Sequence, residues 1–204
     1  MTHPDHYKTI IETSESDFRE RGSKFFGYAF HAESETDIKD EIERLKKLYP
    51  TARHFCYGAV LGSEQTEERS NDAGEPSGTA GLPILNQILS AELKNVAVVI
   101  VRIFGGTKLG KPGLIAAYKA SAQMAIEEAK HVSKYNRTNI QFNFEYSATG
   151  AVMQAIEQLP HSKILTQTFL EKCSIDVAVP KSELNNALHL FDHTQEAHVK
   201  HLEE

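Results

Sequence analysis

Hydrophobic and polar positions alternate between two periods along the first 130 residues. "YKTII" and the aromatic-rich "SKFFGYAFHA" read as strands, whereas Ile38, Ile42, Leu45 and Leu48 recur at helical spacing ahead of Pro50. "HFCYGAVLG" reads as a further strand. From Ser63 to Gly81 the stretch "SEQTEERSNDAGEPSGTAG" has no apolar period and is dense in turn formers, so a long polar loop is expected. Ile84, Leu85, Ile88 and Leu89 then share one helical stripe, with Pro83 suited to a first turn. "NVAVVIVRIF" is the unbroken β-branched run of a buried strand. After "FGGTKLGKPG" a helix is expected from about Pro112 to Lys130, with Leu114, Ile115, Tyr118, Ala122 and Ile126 on its apolar side.

The pattern changes near residue 136. "NIQFNFEY" alternates strictly, Val152, Ile156 and Leu159 recur at helical spacing, and "KILTQTFLEKCSIDVAVP" supplies two strands. Leu184, Leu188 and Phe191 mark a second helix, and "EAHVKHL" a closing strand. The order β-α-β-β-α-β is that of a ferredoxin-like unit, with helices on one face of an antiparallel sheet. The expected fold class is therefore α+β in two domains, residues 1–133 and 138–204, with "SKYNR" as a short connector.

Composition narrows the function classes. The formal net charge is −6, and the two parts of the chain, 1–130 and 131–204, each carry −3. That excludes a generally basic nucleic-acid binder, and contact with RNA requires a local basic patch. No apolar run approaches the roughly 20 residues that span a bilayer. The polar "MTHPDHYKTI" lacks the core of a signal peptide, so a cytoplasmic protein with no membrane contact is expected. Cys56 and Cys173 form no C-x-x-C pair and read as packing residues.

"FGGTKLGKPG" fits seven places of G-x-x-x-x-G-K-[ST], but Pro112 fills the eighth and lacks the hydroxyl that binds Mg²⁺. Pro112 suits the first turn of a helix instead. Two uses of the glycines remain open. One is a tight strand-to-helix crossover packed against the other glycine-rich loop. The other is an anion site formed by helix-start N–H groups with Lys108 or Lys111.

The candidate binding constellation is His54, Asp72, Glu75, Ser77, Thr79, Arg102, Gly105, Gly106, Lys108 and Lys111. If the two glycine-rich segments meet, acids, hydroxyls and cations share one surface. In the structural alternative, Asp72 and Glu75 cap turns, Ser77 and Thr79 bond loop backbone, and Arg102 pairs with Glu75. Ser77 lies outside a G-x-S-x-G elbow, so no catalytic residue is assigned. His54 and Cys56 share a strand face and are expected to be packing residues. His189, His193, His198 and His201 read as a solvated histidine-rich surface, with no metal or cofactor implied.

"SNDAGEPSGTAGLPIL" followed by "VVIVRIFGGTKLGKPGLIAAY" closely resembles the signature of the IMPACT (YigZ-type) family, and "RGSKFFGYAF" and "ARHFCYGAV" resemble its earlier blocks. The resemblance covers most of residues 15–130. It implies an N-terminal ribosomal protein S-five domain-two-like fold and a C-terminal domain like the fifth domain of elongation factor G. Eukaryotic relatives are linked to translational control under amino-acid starvation through binding a kinase activator. Four positions depart from the family pattern. Ala73 replaces a second acidic residue, Ile103 an aromatic one, Pro112 a glycine and Ala117 a basic residue. The function expected is a non-enzymatic protein contacting RNA, the ribosome or a translation-associated protein. The alternative is an enzyme acting on a phosphorylated small molecule or nucleic acid in the same groove, and a third class uses an exposed strand edge of the C-terminal domain.

Overall fold

The strand β6 (Val96–Ile103) is buried from Val96 to Arg102 because both faces of its sheet are covered. A computed structural model describes residues 3–170, 172–191 and 196–202. In it, β6 pairs antiparallel with β3 (Ser23–His31) on one side and β4 (His54–Leu61) on the other. The edges are β2 (Ser14–Glu20) and β5 (Glu67–Asn71), giving the order β2-β3-β6-β4-β5. Side chains alternate across the pleat. Val96, Val98 and Ile100 therefore join a core with Ile84, Ile88, Leu114 and Tyr118 of α2 (Gly81–Ser90) and α3 (Gly110–Glu127). Ala97, Val99 and Val101 enter a second core with Ile38 and Leu45 of α1 (Glu35–Leu48). Ser34 starts α1 through a capping box with Asp37.

Three strands lie where the apolar pattern gives none. "EERSN" within the expected loop forms β5, exposed along most of its length and paired, among the described residues, only to β4. β2 precedes the Arg21-Gly22 turn and pairs with β3. Its inward serines hide it from a hydrophobic reading, because Ser14 and Ser16 donate to the Ala125 and Ser121 carbonyls of α3 at 2.5 and 3.2 Å. The expected connector instead contributes to β7 (His131–Tyr135), which pairs with β1 (His6–Ile10). The last long helix begins two residues early, at Gly110, with Pro112 still inside its first turn, where a missing N–H costs no helical bond.

The chain divides into two compact units at His6/Tyr7 and Lys134/Tyr135. The segment before Tyr7 groups with the later unit rather than with the first domain. Asp5 accounts for this: its carboxylate accepts from the Ser182 N–H and hydroxyl at 2.9 and 2.7 Å, and its carbonyl accepts from Asn136 N–H at 2.9 Å.

In that later unit β8 (Arg137–Phe144), α4 (Thr149–Gln158), β9 (Lys163–Phe169), β10 (Cys173–Pro180), α5 (Leu184–Leu188) and β11 (Ala197–Leu202) follow in order. The sheet order is β11-β8-β10-β9, with antiparallel pairs throughout. Ile140, Phe142, Ile175 and Val177 point to the core with Val152, Ile156 and Ala187 of the helices. On the opposite face Gln141 and Thr166 both donate to the Asp176 carboxylate, at 2.7 and 2.6 Å. Among the described residues no helix is long and apolar enough to cross a membrane.

Candidate functional site

Asp72 organises the loop between β5 and α2. Its carboxylate accepts from the N–H groups of Gly78, Ala80 and Gly81 at 2.8–2.9 Å, so it serves the start of α2 in place of a local cap. Burial pushes the Asp72 carboxyl up, but these three donors outweigh it and hold the group below the ordinary carboxylate range. Ala73 and Gly74 reverse the chain with positive φ of 44° and 86°. The Ala73 carbonyl lies 3.0 Å from His54 Nδ1. Thr79, buried, donates to the Pro76 carbonyl at 2.6 Å, and Ser77 is exposed.

The loop is tied to the sheet by a buried ion pair. At the end of β6, Arg102 Nη1 donates to Glu75 Oε1 at 2.6 Å, with both side chains no more than 6% exposed. The Tyr118 hydroxyl donates to the same oxygen at 2.8 Å, bringing α3 into the cluster. Burial holds that hydroxyl protonated across the ordinary pH range. The Arg102 guanidinium lies over the rings of Phe25 and Phe104, 5.5 and 5.6 Å from their centroids. Cys56 is fully buried beneath this cluster, with the Asp72 carbonyl and the Tyr118 hydroxyl as acceptors at 3.0 and 3.3 Å. Burial pushes its thiol up to about 12, so it is no nucleophile at neutral pH.

The glycine loop after β6 makes its tightest contact with the β2–β3 turn. A Cβ on Gly105 would stand 1.8 Å from the Gly22 carbonyl carbon, so only glycine permits the approach. Ser23 Oγ accepts from Gly105 N–H at 3.2 Å and from Arg102 Nη2 at 3.4 Å, joining turn, loop and ion pair. The contact expected between the two glycine-rich segments is thus carried by Arg102 and Glu75, while Gly105 itself packs on Gly22. Gly106, at φ 89°, has open space around it. Lys108 and Lys111 are exposed and have no hydrogen bond or ion pair among the described residues.

Beside this loop runs an open groove of about 530 Å³, with Phe18, Leu109, Pro112 and Ala117 along it and Glu20 and Arg21 at its rim. Sequence pattern alone does not mark Arg21, whose one signal is the Arg-Gly pair of "RGSKF". The structure therefore brings together Asp72, Glu75, Arg102, Thr79 and His54 as internal bonds of the fold. It leaves Ser77, Gly106, Lys108 and Lys111 on the surface. His189, His198 and His201 sit on a 3-10 turn and β11, while His193 lies outside the described residues. Among the described residues no group of three or more His, Cys, Asp or Glu is placed to hold a metal ion.

Comparison with known proteins places this geometry in a wider setting. Residues 21–126 match the model of the Impact N-terminal domain. An "IMPACT family member" of Haemophilus influenzae is 34% identical over 149 residues, covering 72% of this chain and 72% of that protein. "IMPACT family member YvyE" of Bacillus subtilis is 29% identical over 181 residues, covering 88% and 82%. A solved structure described as a hypothetical protein aligns over 98% of each chain with a TM-score of 0.68 and 24% identity, a likeness of fold.

Breaking the ion pair from one side strands a buried charge. Glu75→Ala is expected to lower the unfolding free energy of the first unit by about 3–5 kcal/mol, and Gly105→Ala by about 1–3 kcal/mol through forced displacement of the turn. Urea titration followed by circular dichroism checks both, since the chain has no tryptophan. Asp72 has a folded-state pKa below its unfolded value. Its contribution is therefore complete above about pH 4 and disappears as pH falls through the lowered pKa. Asp72→Asn is expected to flatten stability against pH below that point and to lower stability at neutral pH. A wild-type acid slope in that variant would refute the assignment.

Proposed function

The chain belongs to the IMPACT family, and on that premise we propose that it is a non-enzymatic binding protein linked to translation or its regulation. Its contact surface is the exposed part of the glycine loop, and its ligand is an RNA backbone, as presented by free RNA or the ribosome. The observation that carries this reading is the division of charge around Arg102. The motif's acids, Asp72 and Glu75, are occupied by backbone N–H groups, Arg102 and Tyr118. Lys108 and Lys111 remain free among the described residues, and the Gly22–Gly105 contact brings the Arg21 turn against the loop they stand on. The two lysines make the local basic patch that a chain of net charge −6 requires for phosphate contact, beside Arg21, which is paired at 3.6 Å with its neighbour Glu20. Among the described residues neither acid of the motif is free to act as a general acid or base, because Asp72 holds three backbone N–H groups and Glu75 its ion pair.

The finer fold assignments belong to this reading as well. The strand order β11-β8-β10-β9 with helices on one face supports a ferredoxin-like fold for residues 138–204. A ribosomal protein S-five domain-two-like fold for residues 1–133 rests on the family resemblance. A cytoplasmic location follows from the proposed role.

Lys108→Glu with Lys111→Glu tests the surface directly. Retention of RNA and ribosomes from cell lysate is expected on the native chain at low salt. Raising salt from 50 to 200 mM is expected to weaken it steeply, and the double variant to lose most of it. Retention indifferent to salt and to both substitutions would overturn the proposal. Turnover of a phosphorylated substrate that survived repurification and vanished in Lys108→Glu would replace it with the enzymatic reading.

A further inference from the structure

Exposed strand edges invite pairing with another chain, and proteins guard them with charges, proline or bulges. β2 and β5, the edges of the five-stranded sheet, read "SESDFRE" and "EERSN", and β11 places Lys200 between two histidines. β9 differs. From Ile164 to Leu170 the sequence "ILTQTFL" carries no charge and no proline, and every residue of β9 except Ile164 is exposed. Leu165, Phe169 and Leu170 are 47%, 45% and 74% exposed. A register shift against β10 falls at Leu165, near the start of the strand, and leaves Thr166 to Phe169 in continuous pairing with β10.

The same stretch is nearly palindromic about Gln167: Thr166 mirrors Thr168, Leu165 mirrors Phe169, and Ile164 mirrors Leu170. We propose that the chain dimerises through β9, pairing antiparallel with a second copy about a two-fold axis at Gln167. The two four-stranded sheets then become one continuous sheet, and the unpaired backbone edge of β9 is satisfied.

Directly opposed residues of antiparallel strands share a face. Gln167 and Phe169 stand opposite Ile175 and Cys173, on the helix-covered side. Across the axis Leu165, the residue at the register shift, comes opposite Phe169 of the partner subunit, and by symmetry the pair occurs twice, on either side of the axial glutamines. Phe169 already lies edge-on to Phe144, at 6.5 Å, so this cluster extends the unit's core. Thr166 and Thr168 stand opposite Asp176 and Ser174, on the polar side. There each threonine meets the other type across the axis, a favourable hydroxyl pairing. One place beyond the apolar pairs, Lys163 corresponds to sequence position 171, a glutamate outside the described residues. The seam consists of Leu165 to Phe169, because Ile164 already packs in the core opposite Val177. A shift of register by one residue would oppose apolar side chains to threonines, so the palindrome selects this alignment. Isologous two-fold pairing is the commonest form of closed assembly.

Sedimentation equilibrium of the full chain tests the proposal. The native protein is expected to approach twice its 22.8 kDa mass as concentration rises through the micromolar range. Gln167→Lys and Gln167→Glu each place like charges together at the axis. Each variant alone is expected to stay monomeric with an unchanged circular dichroism spectrum, and an equimolar mixture to recover the dimer. A native chain that stays monomeric at every concentration overturns the proposal, as do variants that dimerise normally or a mixture that fails to reassociate. Amide exchange needs no variant. Protection along Thr166–Phe169 is expected to rise with protein concentration, and protection independent of concentration also overturns the proposal.

Discussion

The first unit depends on one buried ion pair, Arg102 with Glu75, because it joins parts that the backbone ladder does not connect. Arg102 ends a central strand, Glu75 lies in an irregular loop, and Tyr118 comes from the long helix packed over both. Two charges taken out of water are expensive, and their attraction offsets this only with good geometry and further hydrogen bonds. Here the acceptor oxygen receives two donors at 2.6 and 2.8 Å, and the guanidinium rests on two aromatic faces. Such a cluster tolerates few arrangements. Its contribution is therefore to fix where the loop lies as much as to stabilise it.

That placement separates the two helix starts. The first turn of α2 is served by Asp72, a carboxylate from eight or nine residues upstream. The first turn of α3 has no acidic residue and no side-chain cap, and Lys108 and Lys111 stand beside it. A helix start carries partial positive charge from its unpaired N–H groups. One start is thus neutralised inside the fold, while the other stays electropositive at the surface. The Gly22–Gly105 contact holds this second start against the Arg21 turn, without a flexible side chain between the two backbones.

Sequence legibility followed how each element is buried. β6 and β8 were legible because their apolar residues face cores, on both sides for β6 and on one for β8. β5 was not, because an exposed edge strand has no apolar face to display. β2 was hidden by a different cause: its inward positions use serine hydroxyls to meet helix carbonyls, which hydropathy scores as polar. At the site, a link between Arg102 and Glu75 was legible as an alternative, since the residue types admit it. The Gly22 partner of Gly105 was not, because a contact between backbones 83 residues apart leaves no side-chain signature. Arg21 was missed for the same reason, as its place beside the loop comes from that contact.

Backbone geometry also bears on two of the departures from the family pattern. Ala73 adopts a left-handed φ of 44°, a conformation that short polar residues tolerate better than alanine. An acidic residue, as the family resemblance implies at this position, would suit the turn itself. In this chain Asn71 supports the turn from outside it, accepting from Ala73 N–H at 2.7 Å. Pro112 stands in the first turn of α3, where its missing N–H had no helical acceptor to lose. Both substitutions thus act on backbone geometry. The hydrogen bonds of Glu75 with Arg102 and Tyr118 are intact beside them, so the arrangement that positions the lysine-bearing loop survives.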